Sequence, residues 1–95
     1  MTKAEIVHSV YQKIGGFSKR EAHDLVDAVF DVMKDTLARG EKIKVSGFGS
    51  FVVRDKYARP GLNPRTGARI TLAPRRVVRF RPSPLLKLQV NLDEN

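Results

Sequence analysis

The spacing of apolar residues changes once along this chain, at Gly40, and that change decides the fold class. Before it, Ile6, Val7, Val10, Tyr11 and Ile14 recur at helical spacing, and Ala22, Leu25, Val26, Val29, Phe30, Met33 and Leu37 carry a second stripe of the same period. After it the period is two. Ile43 and Val45 alternate with lysines in "EKIKV", Phe51 and Val53 resume the alternation, and Val78 and Phe80 alternate with arginines in "RVVRFR". Helices first and strands afterwards read as an α+β fold.

The punctuation agrees. Thr2 with Glu5, and Ser18 with Glu21, are capping boxes: the hydroxyl accepts from the backbone N–H three residues on, and the glutamate reaches back. "GG" at 15 and 16 ends the first helix and Gly40 the second. "SGFG" makes a tight turn, and Pro82 breaks the last strand. Ser83 then caps a short helix with Pro84 in its first turn and Leu85, Leu86 and Leu88 as its apolar residues. The expectation is one domain over 1–95. It comprises a helical hairpin at 1–40, a three-stranded antiparallel sheet from 41–56 and 74–82, an extended β-arm at 57–73, and a C-terminal helix at 83–91. Such a sheet is a thin layer. Phe48, Phe51 and Phe80 are more apolar surface than it hides, so they are expected to form a dimer core.

Charge narrows the function. The net charge is +8, and the segment from Arg54 to Arg81 holds nine basic residues against Asp55 alone, 9 − 1 = +8. The rest of the chain holds 18 − 9 = 9 basic and 10 − 1 = 9 acidic residues and sums to zero. Concentrated charge of this kind is the footprint of a polyanionic partner. The absence of cysteine excludes a disulfide scaffold, a Cys-ligated zinc site and thiol catalysis. No segment is apolar enough for a signal peptide or a membrane span, so the expected home is the cytoplasm, with no membrane partner.

Catalytic and metal chemistry find little to stand on, and no cofactor is expected. His8 and His23 sit in the helices without a carboxylate–nucleophile pairing. Asp24, Asp27, Asp31 and Asp35 make an acidic stripe that reads as a solvated helix face, because hard-cation sites need converging loop oxygens. The final "DEN" reads as an ordinary acidic end. Around Gly47-Phe48-Gly49 two readings stay open: a strand turn, or backbone N–H groups at Ser46 and Gly47 that hold a phosphate.

The arm is the informative stretch. "RPGLNPRTGAR", residues 59–69, carries three arginines, two prolines, two glycines and no acid. Leu62, Ile70 and Leu72 are its only large aliphatic residues, too few to pack on the body, so the arm is expected to order on an anionic partner. Arginine suits this task because its planar fork reaches several acceptors and fits the narrow minor groove. Pro64 has two readings. It shapes the turn, or its apolar ring wedges between stacked base pairs and the kinked duplex wraps onto the charged flanks.

"SGFGSF", "RDKYARPGLNPRTG" and "RRVVRFRP" together resemble the HU/integration host factor family of bacterial DNA-bending proteins, over nearly the whole chain. The resemblance implies an intertwined dimer, of identical or paralogous chains, whose two arms embrace double-stranded DNA through the minor groove. Pro64 would be the wedge, with Arg59, Asn63, Arg65 and Arg69 along the groove. Lys3, Ser46, Gly47, Arg54, Lys56, Arg75, Arg76 and Lys87 would meet phosphates, although Lys3 also has Asp27 within reach as a partner. Such proteins organise the nucleoid and assist recombination, replication and transcription. The chain departs from the family at Leu62, where arginine is usual, at Pro84, where lysine or a small residue is common, and at Pro74. The alternative reading is a ribosomal-type basic module that binds RNA; an enzyme ranks well below both.

Overall fold

The structure, a computed structural model, describes residues 1–92, so the acidic end read from "DEN" lies outside the described residues. The chain divides into two compact units, the first Met1–Asp35 and the second beginning at Thr36. The first holds α1 (Lys3–Ile14) and most of α2 (Lys19–Ala38). Ser18 and Glu21 close the full reciprocal box: Glu21 N–H donates to Ser18 Oγ at 3.0 Å, and Ser18 N–H donates to Glu21 Oε1 at 3.0 Å. The Ser18 backbone N–H foremost, and then the Ser18 hydroxyl, hold the Glu21 carboxyl below its ordinary pKa. The first box differs from expectation. Thr2 Oγ1 does accept from Glu5 N–H at 3.3 Å, but the Glu5 carboxylate receives the Thr2 hydroxyl, also at 3.3 Å, instead of reaching the backbone.

The helical apolar stripes are present but uncovered. Among the described residues only Ala22 and Val26 form a buried apolar core, while Leu25 is 45% exposed and Val29 53%. Ile6, Val10, Leu25, Val26, Val29 and Phe30 line an apolar groove of about 250 Å³ between the helices. On the polar side, Lys3 Nζ lies 2.7 Å from Asp27 Oδ1. The hydrogen bond, reinforced by the opposite charge, raises the Lys3 pKa, and the same bond lowers that of Asp27.

The second unit contains β1 (Ile43–Val45), β2 (Gly49–Lys56), β3 (Arg59–Leu62), β4 (Arg69–Leu72), β5 (Arg75–Pro82) and α3 (Pro84–Leu92). β1, β2 and β5 form an antiparallel sheet in that order, and β3 with β4 forms a separate two-stranded ribbon. Residues 57–58 and 73–74 belong to neither ladder and link the two. Thus the arm expected over 57–73 is itself a paired hairpin. Ser83 caps α3 as expected, its Oγ accepting from Leu86 N–H at 3.1 Å. Gly49 is buried where a Cβ would stand 2.5 Å from the Arg81 carbonyl oxygen and 2.7 Å from the Phe80 ring, so no other residue fits. Phe80 packs between Phe48, at 5.3 Å between ring centroids, and Phe51, at 4.9 Å. This cluster is also incompletely covered: Phe48 is 45% exposed and Phe80 39%.

Candidate nucleic-acid interface

The pairing register sorts the charges by face. Phe51 lies opposite Phe80, Val53 opposite Val78 and Asp55 opposite Arg76. Because successive strand residues point to opposite sides, these fall on one face, with Ile43 and Val45 beside them on β1. The other face carries Lys44, Arg54, Lys56, Arg75, Arg79 and Arg81, interspersed with Ser50, Val52 and Val77. Six cations and no carboxylate therefore share one side of a three-stranded sheet. Asp55, the segment's only acid, points the other way.

The cations on that side crowd one another. The Arg59 guanidinium foremost, then some desolvation and the charges of Arg79 and Arg75, hold Lys56 below the ordinary lysine pKa. Lys56, Arg59 and Arg75 also line a cleft of about 240 Å³ at the arm root, together with Tyr57, Leu72 and Ala73. Cations that repel one another so closely gain when an anion enters between them. At the far end of the sheet, Lys44, Ser46, Gly47, Ser50, Arg81 and Ser83 border a second cleft of similar size. Ser46 and Gly47 sit in the β1–β2 turn, closed by Phe48 N–H donating to the Val45 carbonyl at 3.0 Å. Lys87 is exposed in the first turns of α3, whose N-terminal turn carries no acid.

The arm ends in a turn held by Asn63. Its backbone N–H donates to the Ala68 carbonyl at 2.8 Å, its carbonyl accepts from Gly67 N–H at 2.7 Å, and its Oδ1 accepts from Arg65 N–H at 2.9 Å. Gly67 takes φ +71, which L side chains rarely adopt. Pro64 follows the clamp directly and is exposed. Its ring both shapes the turn and faces solvent, so the two readings of this proline are compatible. Arg59 and Arg69 stand on the paired strands, and Arg65 is at the tip.

Of the expected phosphate residues, Arg76 occupies an unexpected place, while Lys3 takes the Asp27 partner that the sequence leaves open. Arg76 points to the apolar side, where its Nε donates to Asp55 Oδ1 at 3.0 Å and its Nη1 donates to the Ala38 carbonyl at 2.9 Å. It braces the last turn of α2 against the sheet, and cations suit helix C-termini. Lys3 is engaged by Asp27. Conversely, Lys44, Arg79 and Arg81 were absent from the expected phosphate set although they share the face of Arg54 and Arg75. The alternation of "RRVVRFR" carried that signal: 75, 79 and 81 have one parity, 76 and 80 the other. Arg76→Ala is expected to lower stability by about 1–2 kcal/mol while leaving the salt dependence of polyanion binding unchanged. Arg79→Ala should do the reverse, and urea melts with salt titrations of both variants would show it.

A family described as "Bacterial DNA-binding protein" matches residues 1–91. The chain belongs to the HU/integration host factor family. It is 57% identical over 94 residues to an integration host factor subunit alpha of Anaeromyxobacter sp. strain Fw109-5, covering 99% of this chain and 94% of that one. It is 58% identical over 94 residues to the corresponding subunit of Bdellovibrio bacteriovorus, covering 99% and 84%. Within the family, then, the likeness runs to the alpha subunit of integration host factor. The fold is shared with an HU from Anabaena in a cocrystal with DNA, at a TM-score of 0.80 and 30% identity over 95% of this chain and 97% of that one. The family is one of DNA-binding architectural proteins.

Proposed function

We propose that this protein bends duplex DNA as an intertwined dimer, laying its two arms in the minor groove and wedging Pro64 between base pairs. The carrying observation is the continuous acid-free basic surface. Six cations on one sheet face lead, through Lys56 and Arg59 at the arm root, to an arm with exposed proline at its end. Phosphate neutralisation with counterion release supplies most of the affinity. Lys44, Arg54, Lys56, Arg75, Arg79, Arg81 and Lys87 meet phosphates, with Ser46 and Gly47 offering donors at the sheet's end. Arg59, Asn63, Arg65 and Arg69 line the groove. Arg76 serves as a brace, and Lys3 exchanges Asp27 for phosphate only when the duplex reaches it. The half-exposed Phe48 and Phe80, with Phe51, form part of the dimer core. The protein works on the nucleoid in the cytoplasm, where a bent duplex assists recombination, replication and transcription.

The wedge has a direct test. Energy transfer between dyes at the ends of a short duplex should report a large bend with wild type. Pro64→Ala should lose a substantial part of that bend while affinity changes by less than about tenfold, because unstacking costs a few kcal/mol that the flanking contacts recover. A variant that bends as fully as wild type would remove the wedge from the mechanism. Duplex DNA should also outcompete folded RNA at physiological salt; the opposite ranking would favour the basic RNA-binding module.

A further inference from the structure

Pro60, Leu62 and Pro64 follow one another at a spacing of two along the strand that enters the arm tip. The ribbon register puts Pro60 and Leu62 on one face, opposite Thr71 and Arg69 respectively. On the other face Leu72 drapes over Gly61, 3.1 Å from where a Cβ there would stand. Leu62 instead keeps 64% of its surface in solvent, two positions before the proposed wedge. Side-chain hydrogen-bond acceptors are few around it, the Thr71 hydroxyl opposite Pro60 being the one on its own face. The arm has no carboxylate, Asn63 Oδ1 already accepts from Arg65 N–H, and Thr66 Oγ1 accepts from Ala68 N–H at 3.2 Å.

We propose that Leu62 is a specificity residue: it rests on the minor-groove floor beside the kink and selects base pairs that lack the guanine 2-amino group. This rests on the placement of the arm in the groove proposed above. Every base pair shows acceptors on that floor, but only G·C adds a protruding amino donor. Beneath a leucine that donor is stripped of water and finds no acceptor on the side chain above it, whereas A·T, whose floor acceptors are desolvated there just as those of G·C are, adds no donor to strip or to collide with. A buried unpaired donor is costly enough to discriminate. Sequence preference would then arise at a position where the arm makes no hydrogen bond to a base.

Inosine separates the amino group from the rest of the pair, being guanine without it. Three duplexes carry a single TpA step, which kinks readily, flanked on each side by three pairs of A·T, G·C or I·C. Wild type should bind the A·T and I·C duplexes alike and the G·C duplex about tenfold more weakly. Leu62→Asn, whose amide oxygen accepts from the amino group, should shrink that gap to less than about threefold, with an unchanged melting profile. Equal binding of the G·C and I·C duplexes by wild type overturns the proposal. So does an undiminished gap in Leu62→Asn, which would mean that groove width is being read. If Pro64→Ala still reduces the bend in either case, only the role of Leu62 has failed. If neither variant changes bending or binding, the arm is not in the groove and both readings fall.

Discussion

Replacing Arg54, Arg79 and Arg81 together with glutamine is expected to weaken duplex binding by on the order of 10⁴-fold at 0.15 M salt. The three side chains stand on one face of β2 and β5, where the register leaves them no carboxylate neighbour. In a dimer the change removes six phosphate contacts, and each contributes about 0.9 to the slope of log affinity against log salt. The slope should therefore flatten by about five. Stability should not suffer. These arginines bury little, and Arg79 is among the charges that depress the Lys56 pKa, so their removal relieves repulsion. A melting midpoint equal to or above that of wild type, with collapsed affinity, would assign the face to binding alone. Retention of the wild-type slope would move the DNA off the sheet, leaving the arm as the principal contact. The same experiment on Arg76 gives the opposite pattern, because Arg76 spends its fork on Asp55 and Ala38.

That contrast between neighbours shows how far the sequence can be read. Local signals carried well. The Ser18–Glu21 box, the Ser83 cap and the Asn63–Gly67 turn each depend on residues within four positions of one another, where spacing alone implies geometry. Thr2 and Glu5 show the limit even there: the right residues stand at the right spacing, yet the carboxylate chose the hydroxyl. Alternation carried the two faces of the sheet, since period two is a property of any strand. It did not reveal Arg76, whose partners are 21 and 38 positions away and are set by the antiparallel register and by where α2 ends. Counting basic residues treated Arg75 and Arg76 as equivalent. One position of parity makes the first a surface cation and the second a brace.

Glutamate at Leu25 and Val29 together should leave the chain unable to fold at micromolar concentration. Both residues line the apolar groove between α1 and α2 and are about half exposed, as are Phe48 and Phe80 in the other unit. With only Ala22 and Val26 as buried apolar core among the described residues, the folded state draws its stability from surface that one copy does not cover. Burying about 1,000 Å² of apolar surface per chain contributes roughly 25 kcal/mol, more than the whole net stability of a typical domain, so a chain deprived of that cover does not stay folded. Two glutamates in that surface bury charge without a partner, at several kcal/mol each. Folding and association should thus be one transition for wild type, its midpoint rising by about 4 °C per tenfold increase in concentration for a dimer of this length. Sedimentation would give two chains for the folded species. A chain that folds only when mixed with a paralogous subunit would show the same coupling with a different second copy. A monomer that melts cooperatively at a concentration-independent midpoint would refute the dimer, because the apolar faces would then need no cover.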